Sequence, residues 1–264
     1  MSNHRNTVSR IDTLLVERGI APSRARAQAL LMAGRIEVDG VRVDKSGTRV
    51  SVDAAIRARA SGSTYVSRGG TKLSGALAAF APHGLCVRGA VAADFGASTG
   101  GFVDCLLQHG AIRVYAIDVG YGLLHERLRG DPRVVAMERV NARHVTVDML
   151  GESVDIVVID VSFIGLSKVL GAANRVLRDC GTLVALVKPQ FEAGRREVSR
   201  GSGVIRDAEV RTRVVGETIN AIASSGFEIV ADAASVLLGP KGNLEHFVYA
   251  RKAESQIANL RVVR

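Results

Sequence analysis

The first sixty residues have the pattern of a helix–turn–helix unit followed by a β-hairpin. Apolar residues recur at helical spacing in two stretches, and each stretch is followed by a glycine, Gly19 and Gly34, that can end a helix. Ser23 is a candidate N-cap for the second helix. Apolar and polar residues then alternate on both sides of Asp39-Gly40, a strong signal for a two-residue hairpin turn. The apolar positions of this pattern are Ile11, Leu14, Leu15, Ala27, Leu30, Leu31, Ile36, Val38, Val41 and Val43.

From residue 91 onward the chain has the pattern of an α/β fold. Short β-branched stretches alternate with helical ones, which predicts a doubly wound parallel sheet with helices on both faces. The predicted strands cover residues 91–95, 114–118, 134–137, 155–160 and 183–188, and residues 227–237 and 245–251 predict a final antiparallel pair. Residues 73–87 form the longest run without Asp, Glu, Lys or Arg. This run is too short to span a bilayer, so we interpret it as a helix of a soluble domain.

Composition and charge divide the chain into two unequal parts. Between residues 53 and 67 the sequence turns to Ala, Arg, Ser and Gly, and Ser61-Gly62-Ser63 is the best candidate linker. We therefore predict a small domain over residues 1–60, a linker over 61–70 and a larger domain over 71–264. Residues 1–72 contain 13 Lys/Arg and 6 Asp/Glu, whereas the remainder contains 22 and 20. A basic module attached to a nearly neutral body suggests phosphate binding by the small domain.

Other features narrow the class of protein further. The 3 cysteines, Cys86, Cys105 and Cys180, are odd in number and lack a C-x-x-C spacing, so we expect neither a disulfide framework nor a cysteine zinc site. The histidines lack the spacing of metal ligands, and we expect no metal. Residues 1–7 are polar and lack the apolar core of a signal peptide. These observations predict a cytoplasmic protein without membrane insertion.

The small domain resembles the S4 RNA-binding domain. The matching strings are Arg10-Ile-Asp12, Ser23-Arg24 and Gly34-Arg-Ile-Glu-Val-Asp-Gly40. The resemblance implies a small α+β domain that binds RNA. Taken singly, each arginine is better explained by an ordinary solvated charge, and their clustering within the basic excess makes phosphate contact an equally good explanation. The resemblance then favours phosphate contact. The candidate RNA-binding residues are Arg10, Arg24, Arg26, Arg35 and, further along the chain, Arg68.

A glycine-rich segment after the first predicted strand of the larger domain is a candidate cofactor loop. It opens a helix, so that close backbone approach and free N–H groups are both available to a ligand. Asp118 ends the next strand, where a carboxylate can bind both hydroxyls of a ribose. The loop fits a dinucleotide as well as S-adenosylmethionine, but an acid two positions before the first glycine and the lack of a pyrophosphate fingerprint favour S-adenosylmethionine. A tight turn for the loop and a capping role for Asp118 are the structural alternatives. The candidate cofactor-binding residues here are Asp94, Gly96, Ser98, Thr99, Gly100, Gly101 and Asp118.

Nearly the whole chain, from Arg10 to Arg251, resembles the TlyA family, also called the haemolysin A family, of FtsJ-like ribose methyltransferases. The resemblance rests on seven strings, Tyr65-Val-Ser-Arg-Gly-Gly-Thr-Lys72-Leu, Asp94-Phe-Gly-Ala-Ser-Thr-Gly-Gly-Phe102, Asp118-Val-Gly-Tyr-Gly122, Asn141-Ala-Arg143, Asp160-Val-Ser-Phe163, Leu186-Val-Lys-Pro-Gln-Phe-Glu192 and Gly239-Pro-Lys-Gly-Asn-Leu-Glu245. One departure is Leu123, where the family commonly has glutamine.

The resemblance implies a class I (Rossmann-like) methyltransferase sheet that uses S-adenosyl-L-methionine, with Asn141 and Asp160 as further cofactor-binding residues. It also implies transfer of a methyl group to a ribose 2′-hydroxyl in ribosomal RNA. The expected partners are ribosomal RNA or ribosomal subunits, and the expected targets are cytidines at the subunit interface.

The same resemblance implies a catalytic tetrad. We assign Lys188, beside Pro189 at the end of a predicted strand, as the base. Its amine must be neutral to accept a proton, which a nearby Lys72 ammonium favours and carboxylates oppose. The carboxylates orient the lysines, Asp160 also near the transferred methyl group and Glu245 also near the ribose. Taken singly, Lys188 could instead be a strand-end charge and Lys72 a phosphate contact. Asp160 could be a cap for the helix near Leu166, and Glu245 could be a solvated charge. The tetrad consists of Lys72, Asp160, Lys188 and Glu245.

Three other functions are compatible with parts of the pattern. A nicotinamide-dependent oxidoreductase could use the same glycine loop, but it leaves the S4-like domain and the two lysines without a role. A non-catalytic RNA-binding protein keeps the small domain, yet it does not require the complete tetrad. A membrane-active haemolysin would need a membrane-inserting segment, which the sequence does not contain.

Overall fold

The computed structural model describes residues 7–58, 64–194, 203–239 and 241–253. The predicted linker Ser61-Gly62-Ser63 lies outside these ranges. The N-terminal part is a small α+β unit in which β2 pairs with both β3 and β5, and β1 pairs with β4. Its elements are β1 (Val8–Arg10), α1 (Ile11–Glu17), α2 (Arg24–Met32), β2 (Ile36–Val38), β3 (Val41–Val43), β4 (Arg49–Ser51) and β5 (Ile56–Ala58).

The predicted hairpin and helix cap are confirmed. Val38 pairs with Val41 across the turn, and Asp39 and Gly40 both have positive φ, 51° and 78°. A two-residue turn of this hand matches the right-handed twist of the flanking strands. The side chain of Ser23 accepts a hydrogen bond from the backbone N–H of Arg26, as expected of an N-cap. One apolar residue of the alternating pattern is not buried: Val41, beside the turn, is exposed.

The larger part is an α/β sandwich around a seven-stranded sheet ordered β11-β12-β10-β9-β6-β7-β8. Strands β6 to β10 pair in parallel, and β12 runs antiparallel to both neighbours, which confirms the predicted sheet and its final antiparallel pair. Its elements are α3 (Arg68–Phe80), β6 (Val91–Phe95), α4 (Gly101–Gln108), β7 (Arg113–Asp118), α5 (Glu126–Arg129), β8 (Val134–Glu138), α6 (Val147–Leu150), β9 (Val154–Ile159), α7 (Ser167–Val176), β10 (Leu177–Val187), α8 (Pro189–Glu192), α9 (Ala208–Ser224), β11 (Phe227–Ala234) and β12 (His246–Lys252).

Apolar residues form two layers on this sheet and a separate cluster in the N-terminal part. On one face Leu73 and Phe80 of α3 pack with Phe102 of α4 against the strands. On the other face Leu170 of α7 and Ile222 of α9 do the same. The apolar residues of α1, α2, β2 and their neighbours form the third cluster. Among the residues that the structure covers, no helix is both long and apolar enough to cross a membrane.

Several elements differ from the sequence-based expectation: β1, β4 and β5 were not predicted, and β11 ends at Ala234 rather than at residue 237. The helix predicted over residues 73–87 begins at Arg68 and ends at Phe80, because a short 3-10 turn containing Pro82 follows and Gly84 adopts a left-handed φ of 87°. Strand β10 begins at Leu177 rather than at residue 183. Its first half is irregular, with a register shift against β9 between Leu177 and Thr182.

Candidate active site

The candidate residues converge at one edge of the sheet. The carboxyl ends of β6, β7, β9 and β10 meet there because these strands are parallel, and the order of the strands reverses between β6 and β9. A crevice at such a reversal is the usual ligand site of an open α/β sheet. Asp94 lies in β6, Asp118 ends β7, and Asp160 and Lys188 directly follow β9 and β10.

The glycine loop packs closely against the start of the segment after β9. Gly96 has a φ of 93°, and a Cβ atom at this position would lie 2.7 Å from the backbone oxygen of Asp160. Asp118 braces the loop, since its Oδ2 accepts the N–H of Ser98 at 2.8 Å and its Oδ1 accepts the N–H of Gly120 at 2.7 Å. Asp118 therefore caps loop backbone rather than a helix. It also lines a small pocket with Ala97, Ser98, Ala116, Gly120, Leu123, Leu124, Ala136 and Glu138.

The other predicted cofactor residues have local structural roles in the segments that follow β6 and β8. The side chain of Thr99 is buried, and its carbonyl accepts the N–H of His125 at 3.2 Å. Gly100 is the N-cap of α4 with a φ of 93°, and Gly101 is the first residue of that helix. Asn141 caps a short 3-10 turn, because its Oδ1 accepts the N–H of Arg143 at 3.1 Å.

The charge of the site distinguishes between the two cofactors considered above. Asp94 is fully buried, and neither of its carboxylate oxygens makes a well-formed hydrogen bond within the described ranges. Burial raises the pKa of Asp94 well above its ordinary value, the nearby Asp160 and Asp118 raise it further, and the backbone N–H of Val103 opposes the shift. Three carboxyl groups around one crevice, whose charged forms a bound cation would favour, suit a cationic ligand better than a pyrophosphate. The sulfonium and ammonium groups of S-adenosylmethionine fit this charge.

The four tetrad candidates form two ion pairs. Lys72 Nζ lies 2.5 Å from Glu245 Oε2, and Lys188 Nζ lies 2.5 Å from Asp160 Oδ1. The pairs are adjacent, because Val187 of β10 pairs with His246 of β12 and the next positions along this register are Lys188 and Glu245. The structure thus brings the whole predicted tetrad together.

The contacts of the described residues argue against two of the structural alternatives, those for Glu245 and Asp160. Glu245 is 2% exposed and is therefore not a solvated surface charge. The N–H of Leu166 bonds to Glu192 Oε1 at 2.8 Å, so Glu192 takes the capping role considered for Asp160. Lys72 and Lys188 are both buried. Buried charges are retained in proteins when they are paired, as they are here.

An aromatic pair that sequence reasoning did not assign lies at the mouth of the site. Phe163 is 88% exposed and has a left-handed φ of 70°. Its ring centroid lies 5.3 Å from that of Phe191 in α8, and Lys188 Nζ lies 5.9 Å from the Phe191 ring. A strained aromatic residue exposed to solvent beside buried charges indicates a ligand surface. The aromatic residue in the Asp160-Val-Ser-Phe163 string was the available signal, but its exposure follows only from the loop.

The predicted RNA-binding arginines fall into two groups. Arg10 and Arg24 both contact Asp12 Oδ2, at 2.9 and 3.0 Å. Asp12 is fully buried, and hydrogen bonding from Arg10, with further bonds from Arg24 and Gln28, lowers its pKa far below the ordinary range. Arg10 and Arg24 therefore hold a buried carboxylate while their side chains stay about half exposed.

The second group lies where the N-terminal part meets the larger part. Burial lowers the pKa of Arg26 against the opposing effect of Glu126 in α5. Burial also lowers the pKa of His125, and the charges of Arg26 and Arg35 add to that effect. Burial lowers the pKa of Arg68, and the charge of Arg42 in β3 adds to that effect, while the Arg68 guanidinium donates to the backbone oxygen of Leu238 at 3.0 Å. These three predicted residues thus border the junction with the larger part.

Comparison with known families supports both halves of this description. A model of the FtsJ-like methyltransferase family matches residues 65–252, and a model of the S4 domain matches residues 9–56. The two matched ranges correspond to the two parts of the fold described above.

Three relatives cover nearly the whole chain. The 16S/23S rRNA (cytidine-2′-O)-methyltransferase TlyA of Mycobacterium tuberculosis is 45% identical over 92% of this chain and 90% of its own length. Hemolysin A of Brachyspira hyodysenteriae is 39% identical over 91% of this chain and 98% of its own. A solved structure of a hemolysin-family protein from Streptococcus thermophilus superposes with a TM-score of 0.71 at 38% identity, over 95% of this chain and 90% of the other.

Proposed function

The chain belongs to the TlyA family of FtsJ-like methyltransferases, which use S-adenosylmethionine, and we propose that it methylates the ribose 2′-hydroxyl of a cytidine in ribosomal RNA. The observation that carries the proposal is the pairing of Lys188 with Asp160 and of Lys72 with Glu245 beside the three carboxylates of the cofactor crevice. The name of the Mycobacterium tuberculosis relative supports the cytidine and the RNA class. From the family resemblance we infer action in the cytoplasm on ribosomal subunits, at cytidines near the subunit interface.

In this mechanism the protein orients the hydroxyl and removes its proton. S-adenosylmethionine, when bound, supplies an electrophilic methyl group for in-line displacement. Once the ammonium of Lys188 has released a proton to solvent, its neutral amine accepts the proton that the 2′-hydroxyl loses, and the resulting ammonium pairs with Asp160 again. Lys72 and Glu245, joined at 2.5 Å, present a donor and an acceptor to the ribose. Asp118 would hold the ribose hydroxyls of the cofactor, and Asp94 and Asp160 would lie on the side of its positive charge.

The aromatic pair provides a surface on which the target base can stack. Phe163 and Phe191 form an exposed apolar surface beside Lys188. A nucleobase has a π-face, and base–aromatic stacking stabilises binding by about 1–3 kcal/mol per base. We infer that the base of the target nucleotide lies against Phe163 while the ribose 2′-hydroxyl of the same nucleotide points to Lys188.

The N-terminal domain would deliver the RNA. We divide the chain into an S4-like domain over residues 1–60, a linker over 61–70 and a catalytic domain over 71–264, and the separate apolar clusters support this division. The junction arginines Arg26, Arg35 and Arg68, together with Arg10 and Arg24, would contact phosphates near the catalytic crevice.

The direct test is methylation of purified ribosomal subunits with labelled S-adenosylmethionine, followed by mapping of ribose methylation in both large RNAs. We expect label at the 2′-oxygen of one or a few cytidines. The isosteric variant Glu245→Gln should lower the rate strongly without changing the fold, and circular dichroism checks the fold. Label found only on base atoms or on ribosomal proteins would contradict the proposal.

Cofactor binding should depend on pH through Asp94. Its pKa is raised in the free protein, so the carboxyl group is protonated over a range where an ordinary aspartate is charged. A bound cation lowers the pKa of a neighbouring carboxyl group, so binding should release a proton, and affinity should increase with pH until the raised pKa is passed. Calorimetry in buffers of different ionisation enthalpy measures this release.

The control for this prediction is Asp94→Asn, which removes the titrating group but keeps the shape of the side chain. The variant should lose the Asp94 component of proton release and bind S-adenosylmethionine more weakly, by about 1.5–3 kcal/mol for a charge-assisted contact. Subtracting the pH dependence of affinity in this variant from that in the wild type also cancels the contribution of the cofactor's own amino group. Identical pH dependence in the two proteins would show that Asp94 does not titrate on binding.

A further inference from the structure

Ser162 lies beside the proposed base and belongs to no role described so far. Lys188 Nζ donates to Ser162 Oγ at 2.8 Å and contacts Asp160 Oδ1 at 2.5 Å. We propose that Ser162 is a positioning residue that, with Asp160, fixes the direction of the lone pair on the neutral Lys188 amine. This inference rests on the proposed function, in which Lys188 accepts the proton of the 2′-hydroxyl.

The geometry follows from the valence of the amine. A neutral lysine nitrogen carries two N–H groups and one lone pair, arranged tetrahedrally with Cε. Ser162 accepts one N–H. The charge of Asp160, whose Oδ1 lies 2.5 Å from Nζ without the alignment of a hydrogen bond, attracts the second N–H, so the third position remains for the lone pair, and the substrate hydroxyl must approach there. With Asp160 alone the nitrogen can turn about the Cε–Nζ bond and present either an N–H or the lone pair to the hydroxyl. Ser162 removes that freedom.

The chemistry of the neighbours explains why a serine suits this position. One carboxylate, Asp160, and the face of the Phe191 ring, 5.9 Å from Nζ, already lie beside the amine. A second carboxylate here would add another full negative charge beside the base. A serine hydroxyl accepts an N–H without a full charge, so it anchors the amine at little electrostatic cost to the neutral state.

The backbone holds Ser162 where this contact requires it. Strand β9 ends at Ile159, and Phe163, the residue after Ser162, adopts a left-handed φ of 70°. A left-handed conformation strains a non-glycine residue, and such strain is concentrated at functional sites. The turn places the serine hydroxyl on Lys188 and the Phe163 ring on Phe191. Ser162 itself is exposed, so the fold does not depend on packing of its side chain.

The test compares Ser162→Ala and Ser162→Thr in single-turnover methyl transfer across the neutral to alkaline pH range. The alanine variant should be slower by roughly 10-fold to 100-fold, the scale of a misplaced catalytic group, at every pH including the plateau. Cofactor affinity and melting temperature should match the wild type, and threonine, which keeps the hydroxyl, should restore most of the rate. Ser167→Ala, at an exposed serine that begins α7, is the matched control.

Two results would overturn the inference. One is an alanine variant as fast as the wild type. The other is a deficit in rate that disappears at high pH, because high pH would compensate if Ser162 affected only the loss of the Lys188 proton. Nitrogen NMR of the Lys188 ammonium gives a readout without catalysis, with faster proton exchange expected in Ser162→Ala. If the wild type does not methylate RNA but the exchange still depends on Ser162, the proposed function falls while the anchoring stands.

Discussion

Replacing Lys188 by alanine is expected to abolish methyl transfer while leaving the affinity for S-adenosylmethionine nearly unchanged. The amine acts on the proton that leaves the 2′-hydroxyl, so its loss raises the energy of the transition state and not that of the bound cofactor. General base catalysis contributes about 10²- to 10⁴-fold to a rate. Single-turnover transfer to ribosomal subunits and calorimetric titration of the cofactor measure the two quantities separately.

Two further variants sharpen this prediction. Lys188→Arg keeps a positive charge near Asp160 but cannot lose its proton near neutral pH, so it should be as inactive as the alanine variant. Lys168→Ala removes an exposed lysine in the first turn of α7 and should leave the rate unchanged. A wild-type rate in either Lys188 variant would exclude this residue as the base.

Removing residues 1–63 is expected to leave a folded, cofactor-binding protein that no longer methylates ribosomal RNA at physiological salt. The two apolar layers of the sheet begin at Tyr65 and include no residue of the N-terminal cluster, so the truncated chain keeps its core. The removed part carries most of the net charge of +9. Phosphate contacts supply affinity for RNA, and that affinity falls steeply with salt.

The measurements for this prediction are the melting temperature, cofactor affinity and methylation of ribosomal subunits over a salt series. The intact chain should show a steeper decline of RNA binding with salt than the truncated one, since fewer phosphates are neutralised after truncation. Lowering the salt should not restore the rate of the truncated protein to that of the intact chain. Equal methylation by both proteins at physiological salt would contradict a delivery role for the N-terminal domain.

The sequence by itself determined the elements whose cause is local. The Asp39-Gly40 turn, the Ser23 cap and the strands of the sheet depend on residues two to four positions apart, and the periodicity of apolar residues reports such neighbours directly. The order of strands and helices also determined that Asp94, Asp118, Asp160 and Lys188 would meet at one edge, because parallel strands share their carboxyl ends.

The tertiary structure alone decided which of these residues touch. Lys72 and Glu245 are 173 positions apart, and their contact depends on how α3 packs against β12, which no local pattern encodes. The same is true of the burial of Asp94, the exposure of Phe163 and the contact between Ser162 and Lys188. Each depends on the packing of several elements around one crevice, and desolvation and charge act there through distances between residues that are remote in the chain.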